Sequence, residues 1–330
     1  MKIKNYFCQA CPFQCGVDRE TQFGVCRLPN KILVSHTQQH FFEEPMISGE
    51  QRESQALPTG RQVSSASLPS APERAGKSQA RGGSGAIFFT GCNGRCVFCQ
   101  NYKISQPEYW LKSKPTEMDN QKLLDICLEL IEKNKVHNIN FVSPTPYSAL
   151  LTDFLSKHKK DIPVPIIWNS NGYEKAETIR RLSGLVDVYL PDLKYFDDMV
   201  AVRYSGFQNY FRWASQAILE MHRQVGFPDV GKDGFIRKGL IIRHLVLPGQ
   251  VGDSKKILSW IRENLGTGAF VALMAQYYPA YRSSEFPEID RRLKSEEYQK
   301  ISNYFMSLGF DDGLVQELEA ADATYTPNFE

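Results

Sequence analysis

From residue 83 onward, short apolar runs alternate with longer segments in which apolar residues recur every three or four positions. The short runs predict buried strands, and the longer segments predict amphipathic helices. Six strands are predicted in this way, at 86–89, 139–142, 165–168, 186–190, 240–247 and 270–274. Because neighbouring parallel strands need a right-handed crossover, strands that each precede a helix indicate an α/β fold with a parallel sheet.

The helices are predicted from their periodicity and from their ends. The first begins near Thr116, and Asp119 three residues later forms a variant of the capping box. The last is stopped by Gly309. Periodicity does not separate a doubly wound sheet from a barrel, but in both folds ligands bind at the carboxyl ends of the strands. Further helical segments are predicted around 147–155, 214–221, 257–261 and 298–308.

Before residue 83 the pattern changes twice. Residues 1–48 are rich in cysteine, show little helical periodicity and form a small head. Residues 50–82 are rich in Ser, Gln, Arg, Pro, Ala and Gly, with too few apolar residues to offset the cost of ordering. We therefore predict a disordered insertion at 50–82, with a structured subdomain as the alternative. Residues 83–330 form the α/β domain and its C-terminal extension.

Charge and hydropathy narrow the class of partner. With 39 basic and 37 acidic residues, the chain offers no argument for nucleic acid or an anionic membrane as a partner. Residues 1–8 lack the apolar stretch of a signal peptide, and no apolar run approaches the thickness of a bilayer. We therefore expect a cytoplasmic protein with no membrane contact. No Walker loop, dinucleotide fingerprint or Ser–His–Asp arrangement is visible.

The chain contains 8 cysteines, and seven of them fall in two tight groups. In a reducing compartment such groups indicate metal binding rather than disulfides. The eighth, Cys127, lies in an apolar helical pattern and is interpreted as a buried core thiol.

The second cysteine group lies directly after the first predicted strand, in the sequence TGCNGRCVFCQN. Its members Cys92, Cys96 and Cys99 have C-x3-C-x2-C spacing. A [4Fe–4S] cluster usually takes four thiolates, so three leave one iron open to another ligand. Gly91 and Gly94 allow the backbone to curl around such a cluster. The alternative is a zinc site completed from the head, although zinc loops favour paired C-x2-C or C-x4-C spacing.

This loop resembles the motif of the radical S-adenosylmethionine (SAM) superfamily, in which the last cysteine follows an aromatic residue, here Phe98. More narrowly, the chain resembles pyruvate formate-lyase activating enzyme-like proteins with a cysteine-rich N-terminal head. In that family EEPMISG (43–49) runs almost directly into GSG, so 50–82 resembles an insertion. The supporting stretches are EEPMISG, GSGAIFFTGCNGRCVFCQNYKIS, NFVSPTPY, WNSNGYE, DVYLPDLKY, IIRHLVLPG and AQYYPAY.

The resemblance implies an incomplete (β/α)6 barrel of the TIM type, with a [4Fe–4S] cluster on Cys92, Cys96 and Cys99. It also implies that the open iron binds the amino and carboxylate groups of SAM. One electron then yields a 5′-deoxyadenosyl radical, which abstracts hydrogen from a substrate. A flavodoxin- or ferredoxin-like electron donor is expected by the same resemblance.

Two segments match SAM-binding motifs of the family only in part. Ser143 and Thr145 stand where many relatives carry Gly-Gly-Glu-Pro for the SAM amino group. Because that glutamate is absent, backbone carbonyls or Thr145 would have to substitute, unless the prolines only shape a turn. Asn169 and Asn171 match an acidic-Thr-Asn-Gly stretch, and Asn169 replaces its carboxylate.

Two later segments add charged candidates. Asp192 and Lys194 match an Asp-Leu-Lys motif, in which the ammonium would pair with the SAM carboxylate, although an exposed surface pair is the alternative. Arg243 and His244 lie in an apolar strand, so one of them must face the interior if the strand alternates. An inward charge needs a partner, which SAM could supply. The alternative is an edge position that faces solvent.

The head carries Cys8, Cys11, Cys15 and Cys26 with C-x2-C-x3-C-x10-C spacing. Four soft ligands in a short segment suit Zn²⁺ or a second Fe–S cluster. The segment is poor in core-forming residues, so a metal would supply its stability. The alternative is a set of free thiols held by packing against the barrel.

Function follows from the resemblance at two levels. The family name suggests that the radical is installed on a glycine of a protein substrate, a glycyl-radical enzyme. A second hypothesis gives the radical to a small molecule or to a different protein modification. A third, from another class, is a non-catalytic binding module in which both cysteine groups bind zinc; it leaves the strand before the three-cysteine loop unexplained.

Overall fold

The computed structural model describes residues 7–49, 61–64, 82–318 and 329. Helices in this part of the chain are α1 (Pro45–Ser48), α2 (Tyr102–Ser105), α3 (Pro107–Trp110), α4 (Asn120–Asn134), α5 (Ser148–His158), α6 (Ala176–Arg180), α7 (Asp198–Ser205), α8 (Tyr210–Val225), α9 (Val251–Leu265) and α10 (Ser295–Ser307). Strands are β1 (Ile32–His40), β2 (Arg61–Ser64), β3 (Ser84–Phe89), β4 (Thr116–Met118), β5 (Ile139–Val142), β6 (Ile166–Ser170), β7 (Val188–Pro191), β8 (Asp229–Val230), β9 (Ile236–Leu245), β10 (Phe270–Met274) and β11 (Asp312–Val315).

The strands form one sheet in the order β2-β11-β10-β9-β7-β6-β5-β3-β1-β4. From β3 to β11 the neighbours are parallel, whereas β1, β2, β4 and β8 pair antiparallel with their partners. Phe88 of β3 and Leu314 of β11 line the same cavity, so the sheet curves around it. Among the described strands the ends β2 and β4 are not paired with each other. The fold is therefore the expected α/β barrel, and it is incomplete.

All six predicted strands are present, with ends shifted by up to four residues. β1 and β11 were not predicted, because β1 mixes polar and apolar residues on an antiparallel strand and β11 begins with Asp-Gly. The predicted helix start at Thr116 is wrong, since residues 116–118 form β4. Asp119 is the N-cap of α4, and its carboxylate accepts the Lys122 N–H at 2.9 Å. The other predicted helical segments lie within or overlap α5, α8, α9 and α10.

Residues 61–64 of the predicted insertion form the strand β2, which pairs antiparallel with β11. Residues 50–60 and 65–81 lie outside the described residues, so disorder remains a prediction for them. No helix in the described part of the chain is long and apolar enough to cross a membrane.

The short helix α1 closes the amino-terminal end of the barrel. Its Ile47 is fully buried among inward-facing strand residues, including Val188 and Phe270, the first residues of β7 and β10. The Asn138 side chain, just before β5, donates to the Ile47 carbonyl at 2.7 Å. A larger apolar layer lies between the sheet and its outer helices. The carboxyl ends of the strands are thus left for the site.

Candidate active site

A cavity of about 260 Å³ lies inside the barrel. Cys92, Cys96 and Cys99 line it where β3 ends, and Glu43 and Glu44 line it beside α1. Between them the wall carries both apolar side chains and polar groups from the strand ends. The apolar lining is formed by Phe42, Phe88, Phe98, Val142, Leu245, Ala272, Met274 and Leu314.

The conformation of the three-cysteine loop requires its glycines. Gly91 has a φ of +75°, and a Cβ there would come within 2.9 Å of the Leu28 side chain. At Gly94 a Cβ would lie 2.8 Å from the ring of Phe207. Any larger residue would push the loop away from the head or from the segment between α7 and α8, so glycine permits this close packing.

Each of the three sulfurs has a hydrogen-bond partner that suits a metal-bound thiolate. Such contacts orient the ligand and tune the metal. Burial raises the pKa of Cys92 and of Cys96 to about 11, so these thiols lose their protons only when a metal takes their place. The side-chain partners are Asn171 Nδ2 to Cys92 Sγ at 3.3 Å, Ser205 Oγ to Cys96 Sγ at 2.9 Å, and Ser105 Oγ to Cys99 Sγ at 3.2 Å.

The chemistry of this donor set fits a [4Fe–4S] cluster with one open iron. Three thiols from one loop face a partly open cavity with a mixed polar and apolar lining, where a further ligand has room. Within the described ranges, no three Cys, His, Asp or Glu side chains are already gathered closely enough to hold a metal ion. The sulfurs of Cys92, Cys96 and Cys99 must therefore turn towards a common centre when the cluster binds.

Lys194 supplies a positive charge beside the cysteines. Its Nζ lies 2.5 Å from Asp192 Oδ2, and both side chains are at most 20% exposed, unlike a surface pair. Burial by itself lowers the pKa of Lys194, but Asp192 and Cys96 outweigh it and raise the pKa. Lys194 is therefore a stable cation at the carboxyl end of β7.

Polar groups at the ends of β5 and β6 complete this side of the cavity. Ser143 has a φ of +59°, and its N–H donates to the Asn169 carbonyl at 2.9 Å. The Asn171 side chain accepts the Tyr173 N–H at 3.0 Å while donating to Cys92. Ser143, Asn169 and Asn171 all line the cavity, as do Asp192, Lys194 and Arg243.

Thr145 was predicted to bind the cofactor, but it is not among the residues that line the cavity. It is buried and its hydroxyl donates to Glu174 at 2.9 Å. Glu174 is fully buried and also accepts from Trp168 Nε1 and from Ser170 Oγ, which lines the cavity. Burial raises the pKa of Glu174, and its three donors oppose the rise. Thr145 therefore helps to hold Glu174 rather than a ligand.

His244 is the second predicted cofactor residue that the structure places elsewhere. Because side chains alternate along β9, Arg243 faces the cavity and His244 faces α9. Its ring nitrogens lie 2.7 Å from the Leu193 carbonyl and 2.8 Å from Ser254 Oγ. Burial lowers the pKa of His244 to about 4, so the ring is neutral.

Arg243 has partners within the chain, which sequence reasoning missed. Its guanidinium binds Glu44 through two hydrogen bonds, of 2.7 and 2.5 Å, and also contacts Glu43. Glu43 in addition accepts from Asn140 Nδ2 at 2.8 Å. The adjacent acids Glu43 and Glu44 before Pro45 could have indicated a basic partner. That partner, Arg243, lies 199 residues from Glu44 in the sequence. The inward charge is thus compensated without a ligand.

The head lies on the loops at the carboxyl ends of β3, β5 and β6. Arg19 Nη1 donates to the Pro146 carbonyl at 2.6 Å, and Thr178 Oγ1 donates to the Ala10 carbonyl at 3.0 Å. The ring of Phe13 packs edge-on against Tyr173, with centroids 5.3 Å apart. The head therefore covers the outer side of the three-cysteine loop.

Residues 86–261 match the family model of the radical SAM superfamily. An uncharacterized protein of Methanocaldococcus jannaschii is 33% identical over 311 residues, which cover 90% of this chain and 74% of the relative. Among solved structures, methylornithine synthase aligns with a TM-score of 0.47 and 13% identity, over 68% of this chain and 62% of that one. A spore photoproduct lyase variant aligns with a TM-score of 0.45 and 10% identity, over 66% and 71%. With a family match over more than half of its length, the chain belongs to the radical SAM superfamily.

Proposed function

We propose that this enzyme cleaves SAM reductively and passes the resulting radical to a substrate held in the barrel. The observation that carries the proposal is the set of three donor-supported thiols, Cys92, Cys96 and Cys99, facing one cavity. When bound, a [4Fe–4S] cluster supplies one electron to the sulfonium of SAM, whose C5′–S bond breaks to give methionine and a 5′-deoxyadenosyl radical.

Different residues around the cavity bind different groups of SAM. Lys194, which interacts electrostatically with Cys96, pairs with the SAM carboxylate, because Arg243 is already held by Glu43 and Glu44. Asn169, Asn171 and Ser143 offer amide and hydroxyl groups at the strand ends, in place of the missing glutamate of the family motif. Asp192 keeps the Lys194 ammonium at the cavity wall.

The apolar part of the wall excludes water from the reacting atoms. Phe88, Leu245, Met274 and Leu314 contribute apolar side chains to the lining of the cavity. An apolar wall that excludes water favours direct abstraction of hydrogen from the substrate C–H bond by the radical, because it limits access of other hydrogen donors.

For the substrate, we propose a glycine Cα of a partner protein, as in activation of a glycyl-radical enzyme. The support is the resemblance to pyruvate formate-lyase activating enzyme-like proteins along almost the whole chain. A flavodoxin- or ferredoxin-like protein would supply the electron, in a reducing compartment such as the cytoplasm. The test is an EPR spectrum of the two proteins mixed with SAM: a glycyl-radical doublet is expected, and its absence while SAM is consumed excludes that partner.

A specific observation favours a second candidate, a small charged substrate. The far end of the cavity carries Glu43, Glu44 and Arg243, which together leave one net negative charge. A substrate with an amino or guanidino group would match that charge. Deuterium transfer from such a labelled compound into 5′-deoxyadenosine would establish this candidate in place of the glycine.

The reaction itself is tested by anaerobic reconstitution with iron and sulfide, followed by dithionite and SAM. The wild type should form 5′-deoxyadenosine, and Cys96→Ala should form none. Cys127→Ala, which removes a buried thiol outside the site, is the matched control and should keep the activity. Zinc on Cys92, Cys96 and Cys99 with no iron uptake would contradict the proposal.

A further inference from the structure

The four cysteines of the head lie side by side in the folded chain. One guanidinium nitrogen, Arg19 Nη2, lies 2.9 Å from Cys8 Sγ and 3.5 Å from Cys26 Sγ. The Cys11 thiol is an electrostatic neighbour of Cys8 and Cys26, and Cys26 is a neighbour of Cys8 and Cys15. Cys8, Cys11 and Cys26 are buried, and Cys15 is half-buried. Cys8 and Cys26, the two ends of a span of 19 positions, thus lie against one guanidinium. In the described part of the chain the cysteine side chains are not yet gathered around a common point, so the sulfurs must turn towards one when a metal binds.

Backbone N–H groups are directed at these sulfurs in the way that metal-bound thiolates require. The backbone N–H groups of Phe13 and Leu28 lie near the Cys11 and Cys26 thiols, respectively, and favour their thiolate forms. In both cases the donor lies two residues after the cysteine. The Val25 N–H adds a contact of 3.4 Å to Cys15 Sγ.

The three-cysteine loop repeats this arrangement. There the Gly94 N–H lies 3.3 Å from Cys92 Sγ, and the Asn101 N–H lies near the Cys99 thiol and favours its thiolate form. Again each donor follows its cysteine by two residues. Hydrogen bonds to the sulfurs are a general device by which proteins stabilise and tune metal thiolates. The shared pattern therefore indicates that the head is built to hold metal as well.

The fold of the head also needs such a centre. Between Phe7 and Asn30 the described residues form no helix or strand, and one isolated bridge, Phe7 to Asp18, joins the segment to itself. A short segment without its own core usually depends on a metal or a disulfide. The four head cysteines are free thiols.

We propose that Cys8, Cys11, Cys15 and Cys26 bind a second metal centre as four thiolates, with the Arg19 guanidinium as its counter-charge. On binding, the four thiols release their protons. Four protein ligands leave no open position, so this centre is structural and takes no part in the cleavage of SAM. Either a zinc ion or an Fe–S cluster satisfies the same ligand chemistry.

The centre is joined to the active site through Asn93. The Asn93 side chain lies near the Cys11 thiol, whose thiolate form it favours, and donates to the Tyr173 carbonyl at 3.0 Å. It also accepts from Asn171 Nδ2 at 2.8 Å, and the same nitrogen lies 3.3 Å from Cys92 Sγ. Metal binding by the head cysteines thus holds Cys92, the first cysteine of the three-cysteine loop, in position.

The decisive experiment removes the active-site ligands and measures metal on the full chain. A Cys92→Ala, Cys96→Ala, Cys99→Ala variant, purified anaerobically, should still contain about one equivalent of a thiolate centre. Adding Cys15→Ser should abolish it, whereas adding Cys127→Ser should not. Metal content is read by elemental analysis, and thiolate ligation by absorption after substitution with Co²⁺. Because the variant without Cys92, Cys96 and Cys99 cannot cleave SAM, its metal content does not depend on the proposed function.

The same background distinguishes zinc from iron. Cys15→His keeps a zinc ion, because Cys₃His is a common zinc ligand set. Loss of iron and sulfide in that variant instead identifies a cluster. Metal that is absent from the triple variant, or unaffected by Cys15→Ser in folded protein with wild-type circular dichroism, overturns the proposal.

Arg19 provides a second measurement. Outer partners of metal ligands typically contribute 10–100-fold to affinity, so Arg19→Gln should weaken head metal by about that factor in a chelator competition. Arg282→Gln, which removes an exposed guanidinium paired with Glu285, should leave the affinity unchanged. An Arg19→Gln protein that binds head metal as tightly as wild type would remove Arg19 from the proposed site.

Discussion

The two cysteine groups of this chain share their hydrogen bonds to sulfur but differ in what surrounds them. The barrel group has three thiols and faces a cavity, whereas the head group has four and lies on the outer loops. In metal proteins, a site with an open position reacts and a fully ligated site supports the fold. The number of sulfurs and the presence of a cavity therefore indicate different roles for two similar sequences.

The groups also differ in what holds them in place. The barrel loop follows β3 directly, and the Gly91 N–H donates to the Ile104 carbonyl at 2.7 Å, so the sheet and α2 order it. The head has no such elements between Phe7 and Asn30. The barrel loop should therefore keep its conformation without metal, whereas the head should lose its own.

The largest effect that tests this comparison is a serine exchange in each group. Cys99→Ser removes one of three cluster ligands and should reduce 5′-deoxyadenosine formation below detection. Cys15→Ser should still cleave SAM reductively, at a reduced rate, because the proposed head centre positions the three-cysteine loop without supplying a cluster ligand. Both are measured by chromatography under dithionite. Equal loss in the two variants would mean that the groups build one shared site.

Air and chelator provide the next test. The cluster, with one iron not bound by protein, should be lost when the enzyme is exposed to air and then dialysed against a chelator. The proposed head centre, with four thiolates of which three are buried, should resist the same treatment. The absorbance of the cluster and the metal content are followed together. Retention of iron with loss of head metal would reverse the proposed roles.

Lowering the pH should reduce the free energy of unfolding of the barrel through His244. Its folded pKa is about 4, because burial disfavours the charged ring, and its unfolded pKa is about 6.5. Between these values the unfolded chain binds more protons, so stability falls as the pH falls from 6.5 to 4. The loss amounts to about 3 kcal/mol at most.

His244→Gln should remove this part of the pH dependence while keeping hydrogen bonds to Leu193 and Ser254. Urea unfolding followed by tryptophan fluorescence, at pH 7 and at pH 5, measures the difference. His222→Gln is the control, since burial lowers the pKa of that half-buried ring as well but away from the site. An unchanged pH dependence in His244→Gln would show that folding does not lower the pKa of His244.

The smallest effect concerns the residue that joins the two groups. Asn93→Ala removes the acceptor for Asn171 and the contact to Cys11, so Asn171 is less firmly held against Cys92. One lost hydrogen bond is worth about 1 kcal/mol, which corresponds to about fivefold weaker SAM binding. Head metal should remain bound. Equilibrium dialysis with labelled SAM measures the affinity, and an unchanged affinity would mean that the two groups act independently.

Much of the fold could be predicted from local pattern. The six strands and the position of the cysteine loop after the first of them follow from contiguous residues. The start of α4 was misplaced because Thr116 and Asp119 both suit an N-cap, and only the pairing of β4 with β1 decides between them. The strand β11 was missed because Asp-Gly at its start is typical of a turn.

The site shows the same division. Cys92, Cys96 and Cys99 were identified from spacing, since one short loop contains the whole ligand set. Thr145 and His244 were assigned to the cofactor because sequence does not reveal which face of a strand or turn meets the cavity. Their actual partners, Glu174 and Ser254, are core contacts set by the packing of neighbouring elements.

Contiguous residues were enough to identify the superfamily, the parallel sheet and the two groups of cysteines, because each depends on positions close together in the chain. Tertiary structure alone decided that Glu44 reaches Arg243, 199 positions away, and that Asn93 connects Cys11 with Cys92. Those contacts depend on the curvature of the sheet, on α1 entering one end of the barrel and on the head covering the other. The sequence pattern shows the spacing and alternation of residues. It does not show how the sheet curves and brings distant elements together.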